Sequence, residues 1–250
     1  MLQYFHMQLI FLDTETTGNE VSKDRLVQLA YKTPSETVVE YFKPPLPIST
    51  KSMSITHITN EMVADKPIFK DSPAALKIQN YLNDGVMIAH NALFDKAILE
   101  AEGISVPHFI DTLRIARYLD TDNAIPEYNL QFLRYHLKLE IPDLKGLQAH
   151  DAESDITVLE ALFKRLYAKM FEEIKDEEKT IEKLLDISSH PLLLKVIPFG
   201  KHKGETLEEV VATDKAYLRW LLNQKNQEAT QNGTDPNQDD WIYTLNHYLS

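Results

Sequence analysis

The sequence predicts an α/β fold, a mixed β-sheet flanked by helices, with a small module appended at the C-terminus. Three observations lead there. Three strand-like segments open the chain with short links between them. From residue 73 onward, helical periodicities alternate with short apolar runs. The composition then changes near residue 185. Strands first, followed by alternating helices and strands, mean one mixed sheet covered by helices.

Taken in order, residues 8–13 (QLIFLD) are an apolar run bounded by the turn-like Thr16-Thr17-Gly18, which reads as a buried strand. Residues 25–31 (RLVQLAY) and 37–42 (TVVEYF) alternate well enough for two more strands. Pro44-Pro45-Leu46-Pro47 is a stiff extended connector. Helices are expected over residues 73–82, 92–102 (closed by Gly103), 112–119 and 130–137, with strands over 86–89 (VMIA) and 108–111. Residues 151–170 carry a strong helical signal, with Ile156, Leu159, Leu162, Phe163 and Leu166 on one stripe and Asp151 as N-cap. The charged residues 171–189 read as a solvated helix extension that becomes a linker. Residues 196–222 form a compact run, 224–240 a polar flexible insert, and 241–249 a short amphipathic helix. The expected domains are residues 1–185 and 186–250.

With 250 residues, 43% of them hydrophobic, the chain has ample apolar material for a core. It contains no cysteine, which excludes disulfides, thiolate metal sites and a cysteine nucleophile. That fits a reducing, cytoplasmic setting. No run approaches the ~18 apolar residues of a membrane helix, so no membrane partner is expected. The start, MLQYFHMQLIFLD, has no basic leader and no small-residue cleavage site. The net charge of -12 argues against a broad basic surface for a polyanion. The objection weakens if some carboxylates are metal ligands, because bound cations then dominate the local charge.

Three motifs carry the chemistry. In Asp13-Thr14-Glu15, residues two apart on a strand project to the same face, so two carboxylates stand side by side. A divalent cation would relieve their repulsion; the alternative is a strand ending in a polar turn. In VMIAHNALFD, Asp95 sits one turn into a helix after His90-Asn91. Alone, Asp95 is equally an early-helix carboxylate favoured by the helix dipole. In His150-Asp151-Ala152-Glu153-Ser154-Asp155, Asp155 lies one turn inside a helix and His150 just outside it. A neutral histidine near a reacting water suits a general base; the alternative is a surface loop histidine.

In that order, Asp-x-Glu, Asp after a strand–His-Asn turn, and His-x4-Asp resemble the DEDD exonuclease superfamily, in its histidine subgroup. The resemblance covers residues 8–170, and all four carboxylates and the histidine match. It implies a ribonuclease H-like fold and metal-dependent 3′→5′ hydrolysis that releases 5′-mononucleotides. Oxygen-only ligands select hard cations, so Mg²⁺ or Mn²⁺ is implied, two ions per site. The family's pattern has Asp13 bridging both ions, Glu15 and Asp155 completing the site that carries the water, Asp95 supporting the second ion, and His150 taking the water's proton. Residues 55–67 (ITHITNEMVADKP) look like the family's segment that packs the 3′-terminal nucleotide; the alternative is a loop leading into a helix capped by Thr59. Thr16, His57 and Asn91 are the candidates for gripping that nucleotide. The run FGKHKG at 199–204, followed by YLRWL at 217–221, is similar to the tail of the exodeoxyribonuclease X branch. It favours DNA with a free 3′ end, single-stranded or duplex, and a role in repair or recombination. An RNA-trimming enzyme, a polymerase proofreading subunit and a non-catalytic binding protein remain as alternatives.

Overall fold

A computed structural model describes residues 7–141, 152–232 and 236–250. These fall into two compact units. The first comprises the described residues up to Leu119 together with Glu127–Ser189, and the second comprises Asp120–Pro126 with His190–Ser250.

The first unit is built on a five-stranded sheet of order β3-β2-β1-β4-β5. β1 (Gln8–Thr16), β2 (Leu26–Lys32) and β3 (Thr37–Tyr41) form the antiparallel meander. Two short helices follow, α1 (Thr50–Thr56) and α2 (Asn60–Val63), the second capped by the Thr59 hydroxyl. α3 (Pro73–Asp84), β4 (Gly85–Ala89), α4 (Ala92–Ala101) and β5 (Phe109–Asp111) come next, and β4 and β5 add in parallel on the other side of β1. β1 is therefore central. Its Ile10 and Leu12 join Ile78 and Leu82 of α3 and Ile98 and Leu99 of α4 in one core cluster. Phe11, on the opposite face, meets Phe163 edge-on at 5.6 Å. Gly85 is required where β4 starts, since a Cβ there would lie 2.3 Å from Ile10 Cδ1 and 2.5 Å from the Tyr81 carbonyl.

α5 (Thr112–Leu119), α6 (Leu130–His136) and α7 (Ala152–Ile174) complete the first unit with α8 (Glu177–Ser189). α7 lies across β1, β2 and β3. Its expected N-cap, Asp151, is outside the described residues. Residues 171–189 are not a linker. The chain turns at Lys175, whose φ is 56°, and Asp176 caps the new helix through the Lys179 amide at 3.1 Å. α8 then buries Thr180, Leu184, Ile187 and Ser188. Two of those four are hydroxyl residues, and that disguised the apolar stripe.

The second unit has its own core of Ile197, Leu207, Val210, Leu218, Leu221, Trp241 and Leu245. A bridge between Val196 and Thr206 frames a 3₁₀ turn at Gly200–His202. α9 (Leu207–Thr213) opens with a reciprocal Thr206–Glu209 capping box. α10 (Lys215–Asn232) and α11 (Pro236–Leu249) pack against each other. The expected flexible insert at 224–240 is thus largely helical: from Gln224 to Asn232 it has neither Gly nor Pro, and its Gln and Lys residues favour helix. No helix among the described residues is long and apolar enough to cross a membrane.

Candidate active site

The geometry follows from β1 outrunning its parallel neighbour. β4 pairs with β1 only from Gln8 to Phe11, whereas β2 stays paired as far as Thr16. Beyond Phe11, β1 has backbone groups on the β4 side that need other partners. α4 supplies one. The Thr14 amide donates to Asp95 Oδ1 at 3.0 Å, and the Thr14 hydroxyl donates to the same oxygen at 2.7 Å. Asp95 is thereby held, 3% exposed, against the end of β1.

Alternation sets the other two carboxylates. Thr14 and Thr16 are buried, while Asp13 and Glu15 are half-buried on the face where Phe11 meets α7. α7 brings Asp155 from that side, and its Oδ1 accepts from Gln131 Nε2 of α6 at 2.6 Å. The four predicted carboxylates form one electrostatic set. Asp13 is pushed well above the usual carboxylate range by burial first, then by the charges of Asp95, Glu15 and Asp155. Glu15 is raised to about 7, by burial and then by Asp155. Asp95 is also raised to about 7 by burial, with the two Thr14 bonds opposing and Asp111 adding to the rise. Among the described residues, no three histidine or acidic side chains already converge as a closed ligand cage. Thr14 and Gln131 instead hold two of the four acids from neutral donors. All the oxygens are hard donors, and like charges drawn together in a half-buried site fit divalent cations.

Behind this set lies a support that the sequence did not announce. Asp111, 1% exposed at the end of β5, accepts from the Asn91 and Leu113 amides through Oδ1, both at 3.0 Å. His90 bridges the Thr112 hydroxyl at 2.9 Å and the Tyr128 carbonyl at 2.6 Å. Burial lowers its pKa, so its ring is fixed and neutral. These contacts fasten the turn that leads into α4 and so locate Asp95. Asp111 ends a short apolar strand like any other, and only its position beside the His90-Asn91 turn marks it.

The predicted nucleotide-gripping residues are placed differently from one another. Thr16 is buried, and its hydroxyl donates to the Gly18 carbonyl at 2.5 Å. Its backbone oxygen accepts from Ser52, which ties α1 to the end of β1. Asn91 caps α4 in a left-handed conformation with φ 67° and makes no side-chain cap hydrogen bond. His57 is exposed at the left-handed end of α1. His150 lies outside the described residues.

Comparison with known proteins is consistent with this arrangement. A family model described as Exonuclease matches residues 10–163, and one described as Exodeoxyribonuclease X-like C-terminal matches residues 197–226. Exodeoxyribonuclease 10 of Escherichia coli strain K12 is 30% identical over 247 residues, covering 96% of this chain and 98% of its own. A solved structure of exonuclease X in complex with 5′ overhanging duplex DNA is 29% identical with a TM-score of 0.57, covering 72% of this chain and 99% of that one. E. coli exonuclease I, solved with a dA16 oligonucleotide, shares the fold at 20% identity and a TM-score of 0.51, over 66% of this chain and 43% of that one.

Proposed function

The chain belongs to the exonuclease family, and from that membership we propose that it is a DNA exonuclease working from a free 3′ end and releasing 5′-mononucleotides. One observation carries the reading. Asp13, Glu15, Asp95 and Asp155, from one strand and two helices, are near enough that all three neighbours raise Asp13. Such a set serves no folding purpose, since each added charge in it is unfavourable.

The family is metal-dependent, and the finer assignment here is Mg²⁺ or Mn²⁺, two ions held by Asp13, Glu15, Asp95 and Asp155. Bound there, the cations supply the positive charge that polarises the scissile phosphate and stabilises the leaving 3′-oxygen. The residues of the chain do the rest. Asp13, which feels all three other carboxylates, is the member shared between both ions. Thr14 keeps one oxygen of Asp95 fixed, and Gln131 does the same for Asp155. His150 accepts the proton of the attacking water, an assignment that rests on the His-x4-Asp motif. Thr16, His57 and Asn91 are proposed to hold the terminal nucleotide. Residues 1–185 are assigned as the nuclease domain and 186–250 as its appended module, and the protein is placed in the cytosol, in DNA repair or recombination.

DNA is chosen over RNA because exodeoxyribonuclease 10 is similar over nearly the whole length of both chains. Digestion of 3′-labelled single-stranded DNA, duplex DNA and RNA side by side, with products sized and EDTA as control, tests the reading. Mononucleotides from DNA only, abolished by EDTA, are expected. Internal cuts, or degradation of RNA alone, would overturn it.

A further inference from the structure

The second unit carries a surface that the carboxylate chemistry does not use. Trp220 of α10 is 54% exposed, although a tryptophan this size is normally mostly buried. Its ring leans on Tyr217, one turn earlier, at 5.6 Å. Tyr217 is itself fixed: His202 meets it edge-on at 4.8 Å, and Lys201 Nζ sits 5.4 Å over its ring. The 3₁₀ turn at Gly200–His202 is locked in turn, with His202 bridging Glu205 at 3.0 Å and Asp214 at 3.1 Å. The outer face of Trp220 is thus presented on a rigid base.

What surrounds the ring suggests its partner. Lys201, Lys203 and Arg219 are exposed and Lys215 half-buried around it, in a chain whose net charge is -12. The two acids in the same neighbourhood, Glu205 and Asp214, are committed to His202 and Lys201. Further along the helix, Asn223, Asn226, Gln227 and Thr230 line a shallow hollow of about 360 Å³. Carboxamides carry both donors and acceptors, which match the edges of nucleobases.

We propose that the Tyr217–Trp220 face of α10 is a second nucleic-acid site, where a base of single-stranded DNA stacks on Trp220. Its phosphates meet the surrounding lysines and Arg219, and the next base edges meet the amide-lined hollow. A base has a π-face whatever its identity, so the site is indifferent to sequence. The inference rests on the DNA reading above and locates a grip on the polymer apart from the carboxylate set.

Tryptophan fluorescence tests it directly, because the chain has two tryptophans and Trp241 is only 7% exposed. The full-length protein is titrated in EDTA with an oligothymidylate of about 12 nucleotides. Stacking should quench the emission of the parent and leave Trp220→Phe without a quench of comparable size. Trp220→Ala should weaken binding about tenfold, and the loss should persist at high salt, where phosphate contacts fade. Unchanged emission of the parent on DNA binding overturns the proposal. Equal quenching by poly-glutamate also overturns it, and assigns the surface to an acidic peptide. Because no hydrolysis occurs in EDTA, the two readings fail separately. A chain that digests DNA without quenching refutes this site alone, and one that quenches without digesting refutes the nuclease assignment.

Discussion

Replacing Glu15 with Gln should stabilise the metal-free protein at alkaline pH. Glu15 is raised from its ordinary 4.5 to about 7, by burial and by Asp155. The folded chain therefore holds a proton between those values that the unfolded chain has released. Stability from this group is present below about 4.5 and is lost as pH rises through about 7. At about 1.4 kcal/mol per pH unit, ionised Glu15 costs the fold about 2–3 kcal/mol at pH 8. An amide of the same shape avoids that charge. Urea denaturation in EDTA should show Glu15→Gln more stable than the parent by about 2–3 kcal/mol near pH 8, with the gain shrinking to under about 1 kcal/mol near pH 5. Added Mg²⁺ should reverse the order, because cations stabilise the form that binds them. A variant that is less stable than the parent at pH 8 in EDTA would refute the electrostatic account.

Thr14→Val removes the hydroxyl that bonds Asp95 at 2.7 Å, and should destabilise the metal-free protein by about 1–2 kcal/mol in the same assay. The loss should grow as pH rises through about 7, since that bond favours the ionised form of Asp95, and Thr14→Ser should restore stability. Asp214 is held down at about 2, first by Lys201 and then by His202 and the Tyr217 amide. Its contribution to the second unit should be intact at pH 7 and fade as pH falls from about 4 towards 2, so calorimetry should find Asp214→Asn melting earlier at pH 7 but level with the parent near pH 2. His150→Ala should slow turnover by about 10²–10⁴ while leaving Mn²⁺ affinity nearly unchanged, as measured by steady-state hydrolysis beside metal titration.

The sheet was legible because the signals that make a strand are local. Alternation in RLVQLAY and TVVEYF and the apolar runs QLIFLD and VMIA each place a strand within three residues of its observed ends. β1 ran further than expected, through Glu15 to Thr16, since pairing with β2 continues through an irregularity after Glu15 and overrides the turn-like composition. That extra length is what sets Thr14 against Asp95, and no local pattern reports a difference in length between neighbouring strands. The acids of the candidate site were readable as motifs, because strand and helix periods fix which way they face. Their supports were not: Thr14, Gln131 and Asp111 act through contacts between residues 81, 24 and 20 positions apart. α8 and the end of α10 were missed for a simpler reason. Charged and amide-rich helices look like solvated chain when much of their buried face is small or polar.

The central claim is that Asp13, Glu15, Asp95 and Asp155 together hold the cations on which hydrolysis depends. Titration of Mn²⁺ into the metal-free protein, with free ion followed by electron paramagnetic resonance, measures this without substrate. The account predicts two ions per parent chain and none held tightly by Asp13→Asn, since Asp13 is the member shared by both. Two ions bound as tightly by Asp13→Asn as by the parent would contradict it.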